Sequence, residues 1–201
     1  CSGVLAADAL SPARVAGAHV ASCHPFYTLA SVDAPSSDFT GVTFGLEGDE
    51  PALAVLRPLV AALGGLPVQV AAEHKPLYHL ASVLASNHVV SLLDAAVRLL
   101  AVAGVGEQAA TAAVTTIAGR AVANVAAMGT AAALTGPVAR GDVATVERHL
   151  AGLVAAAPDL LPLYRALVAD TVPLAERKGT LGAEPAATLR RISQGEPAGG
   201  G

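Results

Sequence analysis

The chain has 201 residues, a length that one domain or two small ones can fold with about 70% of the unfolded surface buried. Its net charge is −4, from 12 basic and 16 acidic residues, and no basic block is interleaved with aromatics, which excludes the electrostatic footprint of a nucleic-acid binder. Two cysteines, Cys1 and Cys23, are too few for a disulfide framework or a cysteine metal site, so a reducing compartment, the cytoplasm, is expected. Ala and Val supply most of the 53% hydrophobic fraction and aromatics are 3%, which suits helices packed closely through small side chains. The start, CSGVLAADAL, has no positive n-region. Apolar runs are broken by His, Asp, Arg or Gly before the ~20 residues a membrane span needs, so no membrane partner is expected. The chain lacks an initiator Met and opens in mid-motif; an N-terminally truncated protein is expected.

In chain order, Val4 to Ala16 predicts a short helix or helical turn, with Ser11 as cap and Pro12 at the first helical position. Ala18 to Pro25 reads as a short buried strand that Pro25 stops. PFYTLASVDAPSSDFTG, which starts at Pro25, is a loop by its clustered Pro, Ser, Asp and Gly. Val42 to Glu47 is the next strand; Asp49 is the expected N-cap of an amphipathic helix over Glu50 to Leu63, and Gly64-Gly65 ends it. Leu66 to Val70 is a third strand. After Ala71 helix follows helix: about Lys75 to Val102, Glu107 to Met128, Asp142 to Ala156, Pro158 to Arg177 and Glu184 to Ser193. This change sets the expected domains as 1–71, the sheet part, and 72–194, all helical, with a disordered tail over 195–201.

Lys75, His79, Ser82, Ser86 and Val90 are spaced by four, three, four and four residues, one stripe of a helix. Leu80, Leu84, Val89, Leu92 and Leu93 take much of the remaining circumference, which predicts a buried helix whose polar stripe lines a cleft. A Lys in the first turn opposes the helix macrodipole, which points to a use such as polarising a carbonyl or binding an anion. A solvated Lys75 with Tyr78 anchoring the helix explains the same residues. Asn87 is a poor mid-helix residue unless its amide is used, by a ligand or by a partner helix. His24 follows a strand, where side chains of open α/β sheets face the ligand crevice; it reads as a substrate contact or proton-transfer group, or as a strand-end cap. The turn Leu134 to Asp142 holds Thr135-Gly136-Pro137, with Asp142 as the next N-cap; Arg140 suits a carboxylate or phosphate clamp, or a surface pair with Asp. No P-loop, G-x-G-x-x-G, G-x-S-x-G or H-E-x-x-H is present, and no acidic set suggests a metal.

The order SG, SCHP, FGLEGDE, EHKPLYHLASVLASN and ALTGPVARGD with TVERHL resembles the Rossmann-like proteins that carry the C-terminal domain of unknown function 2520. These are similar to the pyrroline-5-carboxylate reductase, prephenate dehydrogenase and ketopantoate reductase group. The resemblance implies an α+β fold for this chain: the last strands of a Rossmann-like sheet, then an all-helical domain of the kind that dimerises. It implies an NAD(P)-dependent oxidoreductase acting on a small carbonyl, hydroxy or imine acid at the domain junction, with NADP or NAD as cofactor and a homodimer as partner state. Carried onto this sequence, the catalytic candidates are Lys75, His79 and His24; the substrate-binding candidates are Tyr78, Ser82, Ser86, Asn87, Thr135 and Arg140. The glycine-rich cofactor turn of such proteins is missing from this chain, which alone is expected to be inactive. The rival expectations are a non-catalytic helical dimerisation module and a small-molecule sensor.

Overall fold

Period-two alternation in two short strands decides how the first part of the chain folds. In this computed structural model, which describes residues 2–28 and 38–196, strand β1 is Ala21–Pro25, β2 is Thr43–Gly48 and β3 is Leu66–Gln69. They form one three-stranded sheet in the order β1-β2-β3, β1 antiparallel to β2 and β2 parallel to β3. Ala21 and Cys23 of β1 pack with Phe44 and Leu46 of β2 against helix α2, Glu50–Ala62, through Leu53 and Val60. The alternate residues, Ser22 and His24 of β1 and Gly45 and Glu47 of β2, belong to the opposite face. The parallel crossover from β2 to β3 runs through α2, which Gly64 ends in the left-handed conformation at φ +76°.

The chain divides into two compact units, Cys1–Ser91 and Leu92–Gly201. Before the sheet lie a 3-10 turn, Ala7–Leu10, and helix α1, Ser11–Val15. After β3 come a 3-10 turn, Ala72–His74, and helices α3, Lys75–Ala85, and α4, Asn87–Val102; α4 begins in the first unit and ends in the second. The second unit continues with α5, Glu107–Met128, α6, Thr130–Ala133, a 3-10 turn at Val138–Arg140, α7, Val143–Ala156, a 3-10 turn at Pro158–Leu160, α8, Leu161–Lys178, and α9, Ala183–Gln194. Its main core gathers Val146 of α7, Val168, Val172 and Ala175 of α8, and Leu189 and Ile192 of α9. A smaller cluster joins Ala95 of α4 to Leu153, Ala157 and Leu160.

Several local expectations are corrected. Ser11 is the first helical residue rather than the cap, and Leu10 holds the cap position with no side-chain bond. Asp49 precedes α2 but does not cap it: its carboxylate accepts from the Val20 amide at 2.9 Å and from the Arg14 guanidinium at 3.0 Å, partners brought there by the chain reversal before β1. Strand β1 is half-buried rather than buried, and it starts at Ala21. The loop after Pro25 and the tail lie partly outside the described residues, over 29–37 and 197–201.

The long helix is corrected twice. It is broken at Ser86, at φ −128° and ψ −74°, so that Asn87 opens α4 rather than sitting in mid-helix. The Ser82 and Ser86 hydroxyls donate to the His79 and Ser82 carbonyls at 2.7 and 2.6 Å, back-bonding that bends helices. Its apolar side is also not buried. Lys75 is 2% exposed and Leu77 63%, with Leu80 and Leu84 exposed too. The polar side faces the strands, as the hydrogen bonds of Lys75 and Tyr78 require, so the leucines are left outward. The helical run Ala72–Val102, 31 residues, is long and apolar enough to cross a membrane by length and composition, contrary to the reading of interrupted runs; Pro76 to Leu93 holds no Asp, Glu, Lys or Arg. Its polar side is nonetheless committed to the sheet at Lys75 and Tyr78.

Candidate active site

The face of the sheet opposite α2 carries Ser22, His24, Gly45 and Glu47, and α3 lays Lys75, Tyr78 and His79 against it. These three lie within the first five residues of α3, so about one and a half turns of helix present them together. Pro76, early in the helix, fits where an amide has no partner to lose.

Lys75 is the innermost of them. Its Nζ donates to the Ser22 hydroxyl at 2.5 Å and to the Ser2 carbonyl at 3.0 Å, and Glu47 Oε2 lies 3.9 Å away. The same Glu47 oxygen accepts from the Ala7 amide at 2.7 Å. A Lys in the first turn of a helix is thus explained by a largely covered carboxylate on the strand beneath it. Burial lowers the Lys75 pKa, and the Glu47 charge works against that fall. The ammonium expected to meet a substrate faces three protein oxygens.

Tyr78 ties the two strands. Its hydroxyl donates to the His24 carbonyl at 3.1 Å and accepts from the Gly45 amide at 3.1 Å. Only glycine fits at position 45, where a Cβ would stand 2.7 Å from the Tyr78 ring. Burial raises the Tyr78 pKa, so the phenol keeps its proton.

His24 and His79 face one another, ring centroids 6.0 Å apart at 81°. The Nδ1 atom of each is buried and has no hydrogen-bond partner among the described residues. Buried imidazole nitrogens are ordinarily bonded, so two orphans in neighbouring rings stand out as candidate proton-transfer groups. Gly3 closes over both rings: a Cβ there would lie 2.5 Å from His79 Nδ1 and 3.0 Å from His24 Nε2. The His24 pKa is lowered, first by burial, then by the His79 charge and the Lys75 ammonium. Gly3 was not singled out as a site residue by the sequence reading; the SG pair in the motif order was its one signal.

Of the remaining candidates, Ser82 and Ser86 line a cavity of about 210 Å³ with Phe26, Tyr27, Thr28 and Ala85, one to two turns along α3 from His79. Both hydroxyls donate within their own helix, and Ser86 also donates to Asn87 Oδ1 at 3.0 Å. Asn87 is exposed. Thr135 and Arg140 lie in the second unit and are exposed. Their turn is held from α8 and the residues after it: Lys178 Nζ donates to the Leu134 and Ala132 carbonyls at 2.6 and 3.0 Å, and the Thr180 hydroxyl donates to the Ala139 carbonyl at 2.6 Å. Gly141 has φ +67°, and Asp142 caps α7 as expected, accepting from the Thr145 amide at 3.1 Å. The sequence reading missed the pair His149 and Tyr164, which are 15 residues apart and meet only when α7 packs on α8.

The buried charge makes a testable statement about the first unit. Glu47→Gln leaves the Lys75 ammonium without its counter-charge and is expected to cost about 3 kcal/mol in urea unfolding. Lys75→Met combined with Glu47→Gln should cost clearly less than the sum of the single changes. Additive losses would show that the two groups do not interact.

Comparison with known proteins agrees with this architecture. Residues 42–171, well over half of the chain, match the family described as a domain of unknown function, DUF2520. The crystal structure of protein TM1727 from Thermotoga maritima is similar, with TM-score 0.75 and 29% identity, over 89% of this chain and 68% of that one. The crystal structure of putative NADP oxidoreductase BF3122 from Bacteroides fragilis is similar in fold, with TM-score 0.66 and 21% identity, over 83% of this chain and 61% of that one. No match is found among curated proteins. The expected α+β arrangement, a few strands followed by a helical part, is the arrangement present, and the chain belongs to the DUF2520 family.

Proposed function

We propose that this chain is part of an NADP- or NAD-dependent oxidoreductase acting on a small carbonyl, hydroxy or imine acid, with His24 and His79 handling the proton. The observation that carries the reading is the pair of buried, unpartnered Nδ1 atoms on the neighbouring rings of His24 and His79. Interconversion of C=O and CH–OH, or of C=N and CH–NH, needs one proton at the heteroatom for each hydride at carbon. A neutral imidazole can do both tasks: its N–H donates to the oxidised substrate's heteroatom, and its lone pair accepts the proton of the reduced one. The lowered pKa of His24 keeps its lone pair available near neutral pH. Lys75 is a positioning residue in this account: it fixes α3 on β1 and β2 and adds positive potential at His24. Ser82, Ser86 and Tyr78 shape the substrate side. A nicotinamide nucleotide would supply or accept the hydride. This sequence has no G-x-G-x-x-G turn, so the roles assigned to its residues are limited to the proton and the substrate. The name given to the Bacteroides fragilis protein, an NADP oxidoreductase, supports the cofactor class.

The partner state proposed is a homodimer. Helix α5 has 22 residues, buries only Ala110 and Val114, and leaves Ile117, Val122 and Met128 exposed, Ile117 at 69%. A helix so apolar on its outer side is normally covered, and closed two-fold assembly is the commonest cover.

Two experiments test these readings. In the longest gene product that contains this chain, NADPH oxidation with a panel of small 2-oxo and imino acids should be measurable, and His24→Asn and His79→Asn should each lower kcat by about 10²-fold. Turnover that survives both substitutions, or no nucleotide binding at all, would contradict the reading. Light scattering of this chain should give the dimer mass, and Ile117→Glu with Val122→Glu should give a monomer; a monomer at high concentration of the unsubstituted chain would refute the dimer.

A further inference from the structure

The second unit holds a cavity of about 270 Å³ beside the turn at Leu134 and Pro137, in a different unit from His24 and His79. Its apolar wall includes Leu134, Pro137, Val138 and Val168, and its polar groups include Thr135, His149 and Tyr164. No Asp or Glu lines it.

The polar groups are arranged for an acceptor. His149 Nδ1 and the Tyr164 hydroxyl are 2.7 Å apart, with the rings edge to face at 75°. Tyr164 packs against both core clusters of this unit, so its hydroxyl is fixed in place. Burial raises the Tyr164 pKa and the phenol stays protonated. The phenol then donates to Nδ1, which leaves the His149 ring proton on Nε2 as a donor to something else. His149 is exposed, so its Nε2 side is open to a ligand. The Thr135 hydroxyl has no hydrogen-bond partner among the described residues. Gly136 between Thr135 and Pro137 has φ +98°, and Lys178 clamps the Leu134 carbonyl, so the turn is held open by backbone geometry rather than by Thr135. The neighbouring cavity of about 150 Å³, on Leu92, Leu99 and Leu160, shares Tyr164 but has no free polar group to orient a ligand.

We propose that this cavity binds a small carboxylic acid with a branched or flat apolar body, the carboxylate accepting from His149 and Thr135 and the body resting on the aliphatic wall. An apolar cavity of about 150 Å³ takes a molecule the size of benzene, so this one takes a body of that size together with a carboxylate. The His149–Tyr164 pair sets the orientation: the hydrogen bond to Nδ1 fixes the tautomer that presents Nε2–H.

The test titrates the 201-residue chain with 3-methylbutanoate and with its neutral isostere 3-methylbutanamide, reading the His149 ring proton resonances, which His149→Gln assigns by their loss. The carboxylate should shift them saturably with a millimolar dissociation constant, and the amide should bind at least about tenfold more weakly. His149 is exposed, so His149→Gln should fold, and ligand-observed saturation transfer should then show binding lost. Thr135→Val should weaken binding several-fold, as should Tyr164→Phe. Equal response to acid and amide, a shift that never saturates, or binding unchanged in His149→Gln would overturn the proposal.

Discussion

One buried ammonium holds the first unit in its arrangement. Lys75 joins the segment at Ser2, strand β1 at Ser22 and strand β2 at Glu47 from the first residue of α3. A charge in such a place is costly unless its partners are all present, because desolvation opposes it and only hydrogen bonds and the carboxylate offset the loss. The constraint is therefore geometric. The three segments meet at Nζ or the charge is uncompensated, and a helix set down at Lys75 must place Tyr78 on Gly45 and His79 opposite His24. The orphan Nδ1 atoms follow from the same constraint. Gly3 follows Ser2, whose carbonyl Lys75 binds, and that bond brings Gly3 over both imidazoles.

Helix α3 is amphipathic in the reverse of the usual sense. Its polar residues are inside and its leucines outside. Within one chain this leaves apolar surface in water, which is unfavourable by roughly 25 cal/mol per Å². Helix α5 repeats the pattern in the second unit, where Ala110 and Val114 face inward and Ile117, Val122 and Met128 do not. Both helices therefore leave their larger side chains outward.

Strand and helix positions were legible where a local signal carries them. The strand expected over Val42 to Glu47, which lies one residue later, the Gly64-Gly65 stop and the Asp142 cap are each set by a few neighbouring residues. The stripe Lys75, His79, Ser82 was legible as a unit because helical periodicity alone groups it. What was not legible depended on distant partners. Asp49 looks like a cap until β1 brings Val20 and Arg14 to it. Lys75 looks available for a substrate until Glu47 and Ser22 are folded beneath it. The break at Ser86 arises from two serine hydroxyls returning to their own helix, a choice that sequence leaves open. His149 and Tyr164 carry no shared motif, and only the packing of α7 on α8 makes them a pair.

The central claim is that the frame around Lys75 holds His24 half-buried and neutral beside His79. Nuclear magnetic resonance titration of the His24 ring in the intact chain measures this directly. The account predicts a pKa below the ordinary histidine value of about 6.5, because burial and the neighbouring His79 and Lys75 charges all disfavour the cation. By linkage the unfolded state then takes up the proton first, so stability from this group is full above about pH 6.5 and falls as pH drops towards the folded value. A His24 that titrates at or above 6.5 would contradict the account.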